Sequence, residues 1–257
     1  MLTLKVLGSS SKGNCYVLEN NNTSIMLDCG VDYKKIMENI DIKKINGIVI
    51  THCHQDHCKG IKKLKDYIDC NVYSNKETIE ILPILETQKQ EVKGGEIFDI
   101  GSFSIVPFDI EHDVKNFGYL IKDNLSGHKL VYITDCGMIP NIQFKDIDTF
   151  LIEANYNQTW YSCKEELDVK EIRNISGKGH LSVQETTEFL KDNANYNTKF
   201  IILGHISSGY EKYFEMSEYV YEELKENENL DCFLVMSLNP NQEEIEIIKL
   251  KEDIKLW

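Results

Sequence analysis

Thr51-His52-Cys53-His54-Gln55-Asp56-His57 places four side chains of the kinds that bind metal ions within six residues. The apolar run before it, Gly47-Ile48-Val49-Ile50, predicts a buried strand. The four side chains then lie on the loop at the carboxyl end of that strand, where rigid α/β scaffolds hold reactive groups. Three imidazoles and a carboxylate this close would repel or desolvate one another without a cation. We therefore interpret the segment as a metal-binding loop.

The spacing of these ligands indicates half of a two-metal site. His52 and His54 can reach one ion, whereas Asp56 and His57 lie further round the turn and can serve a second. Neutral imidazole and carboxylate suit Zn²⁺, Mn²⁺ or Fe, so the ligand types do not choose among these metals.

Further ligands are expected at the ends of later strands. His112 opens a loop after the alternating segment 103–108, and His205 follows the apolar run Phe200-Ile-Ile-Leu203. Asp135 ends the run Leu130-Val-Tyr-Ile-Thr134, where its carboxylate either bridges two ions or belongs to an ordinary turn before a glycine.

The two remaining histidines are less clear candidates. His180 precedes a predicted helix whose start is indicated by the capping-box pattern of Ser182 and Glu185. It therefore either serves the site or helps to cap that helix. His128 lies in a polar stretch that predicts a hairpin loop, and we expect it to be solvent-exposed without a role.

The order of these motifs resembles that of the metallo-β-lactamase superfamily of di-metal hydrolases, over nearly the whole length of the chain. The resemblance implies an αββα four-layer sandwich with metals at one edge of the two sheets. It also implies that His52, His54 and His112 hold one metal, that Asp56, His57 and His205 hold the other, and that Asp135 bridges them. In the same comparison Asp28, at the end of an early strand, is a structural residue that braces the metal loop.

Flanking residues narrow the resemblance toward phosphodiester chemistry. His205-Ile-Ser-Ser-Gly-Tyr210 is similar to the His-Ile-Ser-Ser-Arg-Tyr string of the nuclease that trims tRNA 3′ ends, although Gly209 replaces its arginine. In that nuclease an upstream histidine contacts the scissile phosphate, and His180 occupies the corresponding place. Four segments resemble the YycJ/WalJ group of bacterial DNA exonucleases or related phosphodiesterases: Gly8–Asn14, Glu111–Asp113, Thr134-Asp135 and Gly179–Ser182.

The expected reaction is hydrolysis by a hydroxide that bridges two divalent ions, Zn²⁺ or Mn²⁺, which also clamp the phosphate oxygens. We assign phosphate binding to His180 and proton handling to Asp56. The expected substrate is a phosphodiester in nucleic acid, cleaved in exonuclease fashion.

Other functions remain open. The chain carries 28 Lys+Arg against 42 Asp+Glu, and its formal charge of −14 opposes a polyanion and favours a small cyclic nucleotide. A thioester or lactone hydrolase of the glyoxalase II type shares the first motif but leaves the His180 and His205 strings unexplained. A di-iron oxidoreductase would carry glutamate in place of His54. A non-catalytic binding protein on the same fold would have lost ligands.

Lysines cluster after the metal loop and either form a local basic patch or an ordinary solvated surface. They are Lys59, Lys62, Lys63 and Lys65, with Lys34, Lys35, Lys43 and Lys44 nearby in sequence.

Composition indicates one domain, residues 1–257, in a chain that is 42% hydrophobic and 27% charged. The sequence shows no signal-type or membrane-spanning run, which predicts a cytoplasmic protein with no membrane partner. A homodimer is compatible with this fold. Most of the eight cysteines are expected to be reduced core residues, and Cys53 and Cys58 either pack or make the metal loop sensitive to oxidation.

Periodicity predicts sheets covered by helices. The stretch 155–178 has no clear period and is either a lid or a surface excursion. The predicted strands are 2–7, 15–18, 24–28, 47–51, 71–73, 97–108, 117–122, 129–134, 150–154, 200–203, 232–236 and 244–250, and the predicted helices are 32–39, 58–67, 75–85, 182–193 and 211–226.

Overall fold

Two seven-stranded sheets dominate the computed structural model of this chain, which describes residues 1–138, 141–162, 179–210 and 212–250. In spatial order the first sheet contains β14 (Glu246–Lys249), β1 (Thr3–Ser10), β2 (Gly13–Glu19), β3 (Ser24–Leu27), β4 (Gly47–Val49), β5 (Asn71–Ser74) and β6 (Lys89–Glu91). The second contains β13 (Leu234–Ser237), β12 (Phe200–Gly204), β11 (Thr149–Glu153), β10 (Lys129–Ile133), β9 (Asn116–Asp123), β8 (Phe103–Ile110) and β7 (Phe98–Ile100).

Helices cover the outer face of each sheet. The first sheet packs against α1 (Tyr33–Asn39), α3 (Ile61–Leu64) and α4 (Lys76–Ile81), whose apolar side chains join one core cluster. The second sheet packs against α6 (Val183–Asn193) and α7 (Phe214–Leu224), which share another. Two further short helices, α2 (Gln55–Cys58) and α5 (Gln158–Ser162), and two 3-10 turns, Ile42–Lys44 and Glu86–Gln88, complete the described elements.

A third core cluster fills the space between the two sheets. There, the rings of Tyr16 on β2 and Tyr132 on β10 meet edge to face with centroids 5.5 Å apart. Strands β11 and β12 are buried at every position because sheets cover them on one face and helices on the other. The αββα four-layer architecture expected from the sequence is thus confirmed.

Strand direction gathers the carboxyl ends of several strands at one edge. Strands β3 and β4 are parallel neighbours in the first sheet, and β10, β11 and β12 are parallel neighbours in the second. The segments that follow these strands therefore meet between the two sheets, and they include the segment 51–57.

Most predicted elements are present with boundaries shifted by a few residues, but two were wrong in form. The strand predicted at 97–108 is two antiparallel strands, β7 and β8, because Gly101 turns the chain with a φ of +56°. The helix predicted at 58–67 is interrupted, because the Gly60 amide donates to the Cys29 carbonyl rather than to the Asp56 carbonyl four residues back.

Other differences are smaller. Strand β6 is an addition that no pattern indicated, and α4 ends at Ile81 because Leu82 precedes Pro83 and is held extended. His128 was predicted to be exposed but is buried, and its Nε2 atom lies 2.8 Å from the Thr149 hydroxyl. Within the predicted helix 211–226, Glu211 lies outside the described residues, as do 163–178 of the stretch 155–178, with Cys163, Arg173 and Lys178.

Among the residues described, no helix combines the length and the apolar composition that crossing a membrane requires.

Gly30 brings the segment after β3 into backbone contact with the loop after β4. A Cβ atom at this position would lie 1.6 Å from the Asp56 carbonyl oxygen and 2.7 Å from the His57 nitrogen. Because both obstacles are backbone atoms, neither can rotate away.

We expect Gly30→Ala to lower the free energy of unfolding by about 1–3 kcal/mol, the usual cost of overpacking, since the loop 51–57 must shift to admit the methyl group. Denaturant titration measures this. Gly94→Ala is the control, because a Cβ there meets its nearest neighbour at 3.5 Å, an ordinary contact. Equal unfolding midpoints for the two variants would contradict the close approach.

Candidate metal centre

The Asp28 carboxylate fixes the start and the end of the loop 51–57. Its Oδ1 atom accepts from the Thr51 amide at 2.8 Å and from the Thr51 hydroxyl at 3.0 Å, and its Oδ2 atom lies 2.8 Å from His57 Nδ1. The Tyr132 hydroxyl, from the other sheet, donates to the same Oδ2 atom at 2.6 Å. Asp28 is fully buried, so these four donors replace the water that its charge has lost.

His52, His54 and His112 form a first cluster of possible ligands. One nitrogen from each ring lies within 4.8 Å of those of the other two. His54 Nδ1 and His112 Nε2 are 3.3 Å apart, and among the described residues the buried atoms His52 Nε2 and His112 Nδ1 have no hydrogen-bond partner. Burial lowers the pKa of both His52 and His112, so these rings are neutral and can offer lone pairs to a cation.

A second cluster contains Asp56, His57, Asp135 and His205. His57 Nε2 lies 2.8 Å from Asp135 Oδ2 and 3.5 Å from Asp56 Oδ2, and His205 Nε2 lies 3.5 Å and 3.7 Å from the same two oxygens. Two imidazoles therefore face two carboxylates at distances that leave little room for water.

The charge state of the second cluster is opposite to that of the first. Burial alone would lower the pKa of His57, but the carboxylates of Asp135 and Asp28 outweigh it and hold that pKa well above its ordinary value. Burial likewise opposes protonation of His205, yet Asp135 and the other nearby carboxylates raise its pKa to about 10. The second cluster thus demands positive charge, which either protons or a cation can supply.

Glu153 orients two histidines from the end of β11. Its Oε1 atom lies 2.6 Å from His180 Nδ1 and 2.8 Å from His205 Nδ1, and its Oε2 atom accepts from the Cys136 amide at 2.8 Å. Although burial opposes its ionisation, His180 and His205 hold the pKa of Glu153 below its usual range. Glu153 is completely buried, and it is the acid that the sequence reasoning missed.

The hydrogen bonds of His57 and His205 provide a test of whether cations fit. Each ring directs Nδ1 to a buried carboxylate, His57 to Asp28 and His205 to Glu153, so the neutral ring would present the Nε2 lone pair to Asp135 and Asp56. Metal-binding histidines commonly donate their other N–H to a carboxylate in this way. Lone pairs facing carboxylates repel unless a cation lies between them, so the two clusters fit a di-metal site.

Backbone strain marks the same edge of the sheets. Asp28, Asp135 and His205 have φ values of 55°, 51° and 49°, which non-glycine residues seldom adopt. Each follows directly on a strand or nearly so, and all three side chains contact the histidines or carboxylates of the second cluster. Strain of this kind typically persists at functional sites, where neighbouring contacts hold it in place.

The structure brings together all seven predicted metal ligands and places His180 beside them. The His180 ring centroid is 5.0 Å from that of His205, and its Nδ1 atom is 3.7 Å from Asp135 Oδ1. The helix that follows is capped by Ser182, with its capping box to Glu185, so His180 is not its cap. Asn14 is a second residue that sequence reasoning missed, and its Nδ2 atom lies 3.0 Å from His57 Nε2.

The two cysteines of the metal loop are protonated thiols. Burial raises the pKa of Cys58 to about 11 and raises that of Cys53 as well, and the Cys58 thiol donates to the Cys53 carbonyl. Because the thiolate is the reactive form, these values favour a packing role over sensitivity to oxidation. All seven cysteines in the described part of the chain are free, and four of them are buried.

Comparisons with known proteins agree with this geometry. A family model described as "Beta-lactamase superfamily domain" matches residues 23–206. The chain is 29% identical over 219 residues to a Streptococcus pneumoniae protein named Exodeoxyribonuclease WalJ, covering 79% of this chain and 80% of that protein. It is 26% identical over 219 residues to Exodeoxyribonuclease YycJ from Bacillus anthracis, covering 80% and 83%.

Two further comparisons show weaker similarity, one in sequence and one in structure. A match to Ribonuclease Z from Methanopyrus kandleri is 23% identical over 118 residues, covering 41% of this chain and 42% of that protein. The crystal structure of the metallo-beta-lactamase fold protein YhfI from Bacillus subtilis superposes with a TM-score of 0.69 at 16% identity, covering 96% of this chain and 98% of that one. At that identity the superposition supports the fold alone.

We expect Asp28→Asn to weaken zinc affinity roughly 10–100-fold, the usual effect of removing a carboxylate that orients a metal-binding histidine. The asparagine NH₂ group would face the Thr51, His57 or Tyr132 donors and release the His57 ring. Competition with a chromophoric chelator measures the affinity. Asp99→Asn, the same change at an exposed site, serves as the control, and unchanged affinity in Asp28→Asn would show that Asp28 does not orient the ligand.

Proposed function

Because the match to the Beta-lactamase superfamily domain spans residues 23–206, the chain belongs to that family, and we propose that it is a metal-dependent phosphodiesterase acting on nucleic acid in exonuclease fashion. The expected resemblance to the superfamily and to the YycJ/WalJ group is confirmed, and that to the tRNA-trimming nuclease is matched over part of the chain. Two relatives named as exodeoxyribonucleases, matched over most of their length, support the substrate class.

The observation that carries the proposal is the pairing of His180 and His205 through one oxygen of Glu153. A single buried carboxylate thereby sets His205, a member of the second cluster, beside His180. His180 belongs to neither of the two clusters above, although Asp135, Glu153, His180 and His205 form a third possible ligand group. Metal binding alone does not require the second histidine. Contact with the substrate phosphate next to the metals does require such a histidine.

We assign His52, His54 and His112 to one metal and Asp56, His57 and His205 to the other, and Asp135, a member of the second cluster, would serve both. Zn²⁺ and Mn²⁺ suit these nitrogen and oxygen donors. When bound, the two ions supply Lewis-acid charge for the phosphoryl oxygens and lower the pKa of a bound water.

The protein side chains then divide the remaining tasks. His180 has Nδ1 committed to Glu153, so it presents Nε2 to the substrate, where it binds the phosphate and stabilises developing charge. Glu153 acts through His180 and His205 and is a positioning residue. Asp56 is the more accessible carboxylate of the site, with 23% of its side chain exposed, and it handles the proton of the attacking water.

A cyclic-nucleotide phosphodiesterase is the second candidate, and the formal charge of −14 favours it. Thioester or lactone hydrolysis leaves the pairing of Glu153 with His180 without a task. A non-catalytic role explains neither the clustered ligands nor the pairing of Glu153 with His180.

The substrate test compares a single-stranded oligonucleotide labelled at one end, bis-p-nitrophenyl phosphate and a panel of cyclic nucleotides, each with Zn²⁺- and Mn²⁺-loaded protein. We expect stepwise shortening of the oligonucleotide and turnover of the small diester, with Asp56→Ala as the blank. Turnover of cyclic nucleotides with an intact oligonucleotide would reject the nuclease and establish the second candidate.

We expect His180→Ala to retain the bound metal while kcat falls about 10²–10³-fold, the usual effect of removing one group that stabilises developing charge. His180 lies outside the proposed ligand set, whereas Asp56→Ala is expected to lose metal and activity together. Metal analysis beside steady-state kinetics separates the two. Loss of metal from His180→Ala would move His180 into the ligand set.

A further inference from the structure

The hairpin between β1 and β2 touches the metal centre with one set of side chains. The Ser9 hydroxyl accepts from the His205 amide at 2.9 Å, and Asn14 Nδ2 lies 3.0 Å from His57 Nε2. Ser9 also lines a separate cavity, together with Gly8, Ser10, Lys12 and Gly13 of the same hairpin.

That cavity, the lysine pocket, has a volume of about 520 Å³ and opens to solvent. It is bordered by the hairpin, the start of α1, Lys59 at the end of α2, and the segment 239–243 before β14. None of the lining residues is aromatic, so the pocket offers no surface on which a base can stack.

Three ammonium groups line the pocket: those of Lys12, Lys35 and Lys59. Asp32 and Glu243 are the two acids in the lining, so positive charges exceed negative ones there although the whole chain is strongly acidic. The electrostatic character of this surface therefore differs from that of the protein as a whole.

The three lysines bond to neutral oxygens rather than to carboxylates. Lys12 donates to the Asn241 side chain at 2.7 Å, Lys35 to the Gln242 carbonyl at 3.1 Å, and Lys59 to the Lys12 carbonyl. Within the described ranges none of them forms an ion pair, whereas Lys89, Lys115, Lys191, Lys212 and Lys225 all do.

Lys35 is the least accessible of the three. It is half-buried, and the loss of water lowers its pKa. The Glu243 carboxylate partly offsets this effect without forming an ion pair with Lys35, so the partly dehydrated ammonium group would gain from an anionic oxygen placed against it.

We propose that the lysine pocket holds the phosphate backbone of a single-stranded nucleic acid, at nucleotides next to the bond in the metal centre. The inference rests on the proposed function and extends it to a binding surface. Ser9 lines the pocket and accepts from the His205 amide, so the pocket adjoins the metal centre across one residue of the hairpin, within reach of neighbouring nucleotides of one strand. Recognition there uses phosphate charge and no base contacts, and so carries no sequence preference.

The lysines near the metal loop divide into two groups accordingly. Lys59 and Lys35 line the pocket with Lys12, a residue of the segment Gly8–Asn14. Lys62, Lys63 and Lys65 are exposed and do not line it. These three lysines therefore belong to an ordinary solvated surface.

The test is binding of a fluorescent, hydrolysis-resistant phosphorothioate oligo-dT to the metal-loaded protein, followed by anisotropy at several salt concentrations. Lys12→Gln and Lys35→Gln are each expected to weaken binding about 2–5-fold at low salt, as for an exposed ion pair, and the double variant about tenfold. Each lost phosphate contact lowers the slope of log affinity against log salt by about 0.7. An oligo-dA probe is expected to show the same losses.

Lys63→Gln is the matched control, because it removes the same charge from an exposed site outside the pocket. Melting temperature and metal content establish that each variant is folded, and Lys35→Arg is expected to restore most of the affinity. Binding by the double variant that equals binding by Lys63→Gln would overturn the pocket, as would failure of the unsubstituted protein to bind the oligonucleotide.

The two proposals fail separately. If the protein cleaves oligonucleotides and the lysine variants bind normally, the nuclease stands and the pocket does not. If the lysine variants lose affinity but no oligonucleotide is cleaved, the pocket stands and the proposed reaction does not.

Discussion

The buried carboxylate of Asp28 is the constraint on which the metal centre depends. It receives hydrogen bonds from both ends of the loop 51–57 and from Tyr132 on the opposite sheet. An ionised group with no access to water must find such donors, because an unpaired buried charge costs far more than a lost hydrogen bond. The need to satisfy one charge therefore joins the loop, the His57 ring and the two sheets in a single arrangement.

Glu153, on the second sheet, is another buried carboxylate that orients a histidine. Asp28 holds His57 and Glu153 holds His205, each through Nδ1, so the two sheets contribute equivalent carboxylate and histidine pairs. The Nε2 atoms of both rings then face Asp135. Excess carboxylate at this point explains why the histidine pKa values rise despite complete burial. The same excess gives a divalent cation an advantage over two protons, since the cation can satisfy several oxygens and nitrogens at once.

The sequence located the clustered side chains because they obey one simple rule: a polar residue that follows an apolar strand lies at the carboxyl edge of the sheet. That rule located Asp135 and His205, and it would also have located Glu153 after Phe150-Leu151-Ile152 had it been applied there. Other features depend on contacts between distant residues. His128 is buried by its contact with Thr149, and the helix after the loop breaks because Cys29 captures the Gly60 amide. Local polarity and periodicity contain no information about such partners.

Net charge is a weak guide to what this surface binds. Screening at physiological ionic strength limits the reach of exposed charges to about 8 Å, so a ligand responds mainly to the groups that it touches. Many lysines of this chain are neutralised by adjacent acids, as Lys191 is by Glu188 and Glu223. Lys12, Lys35 and Lys59 instead bond to neutral oxygens and keep their charge available beside the metal centre. An acidic protein can therefore carry a cationic path for a polyanion, provided that the positive charges without partners lie together and next to the site of reaction.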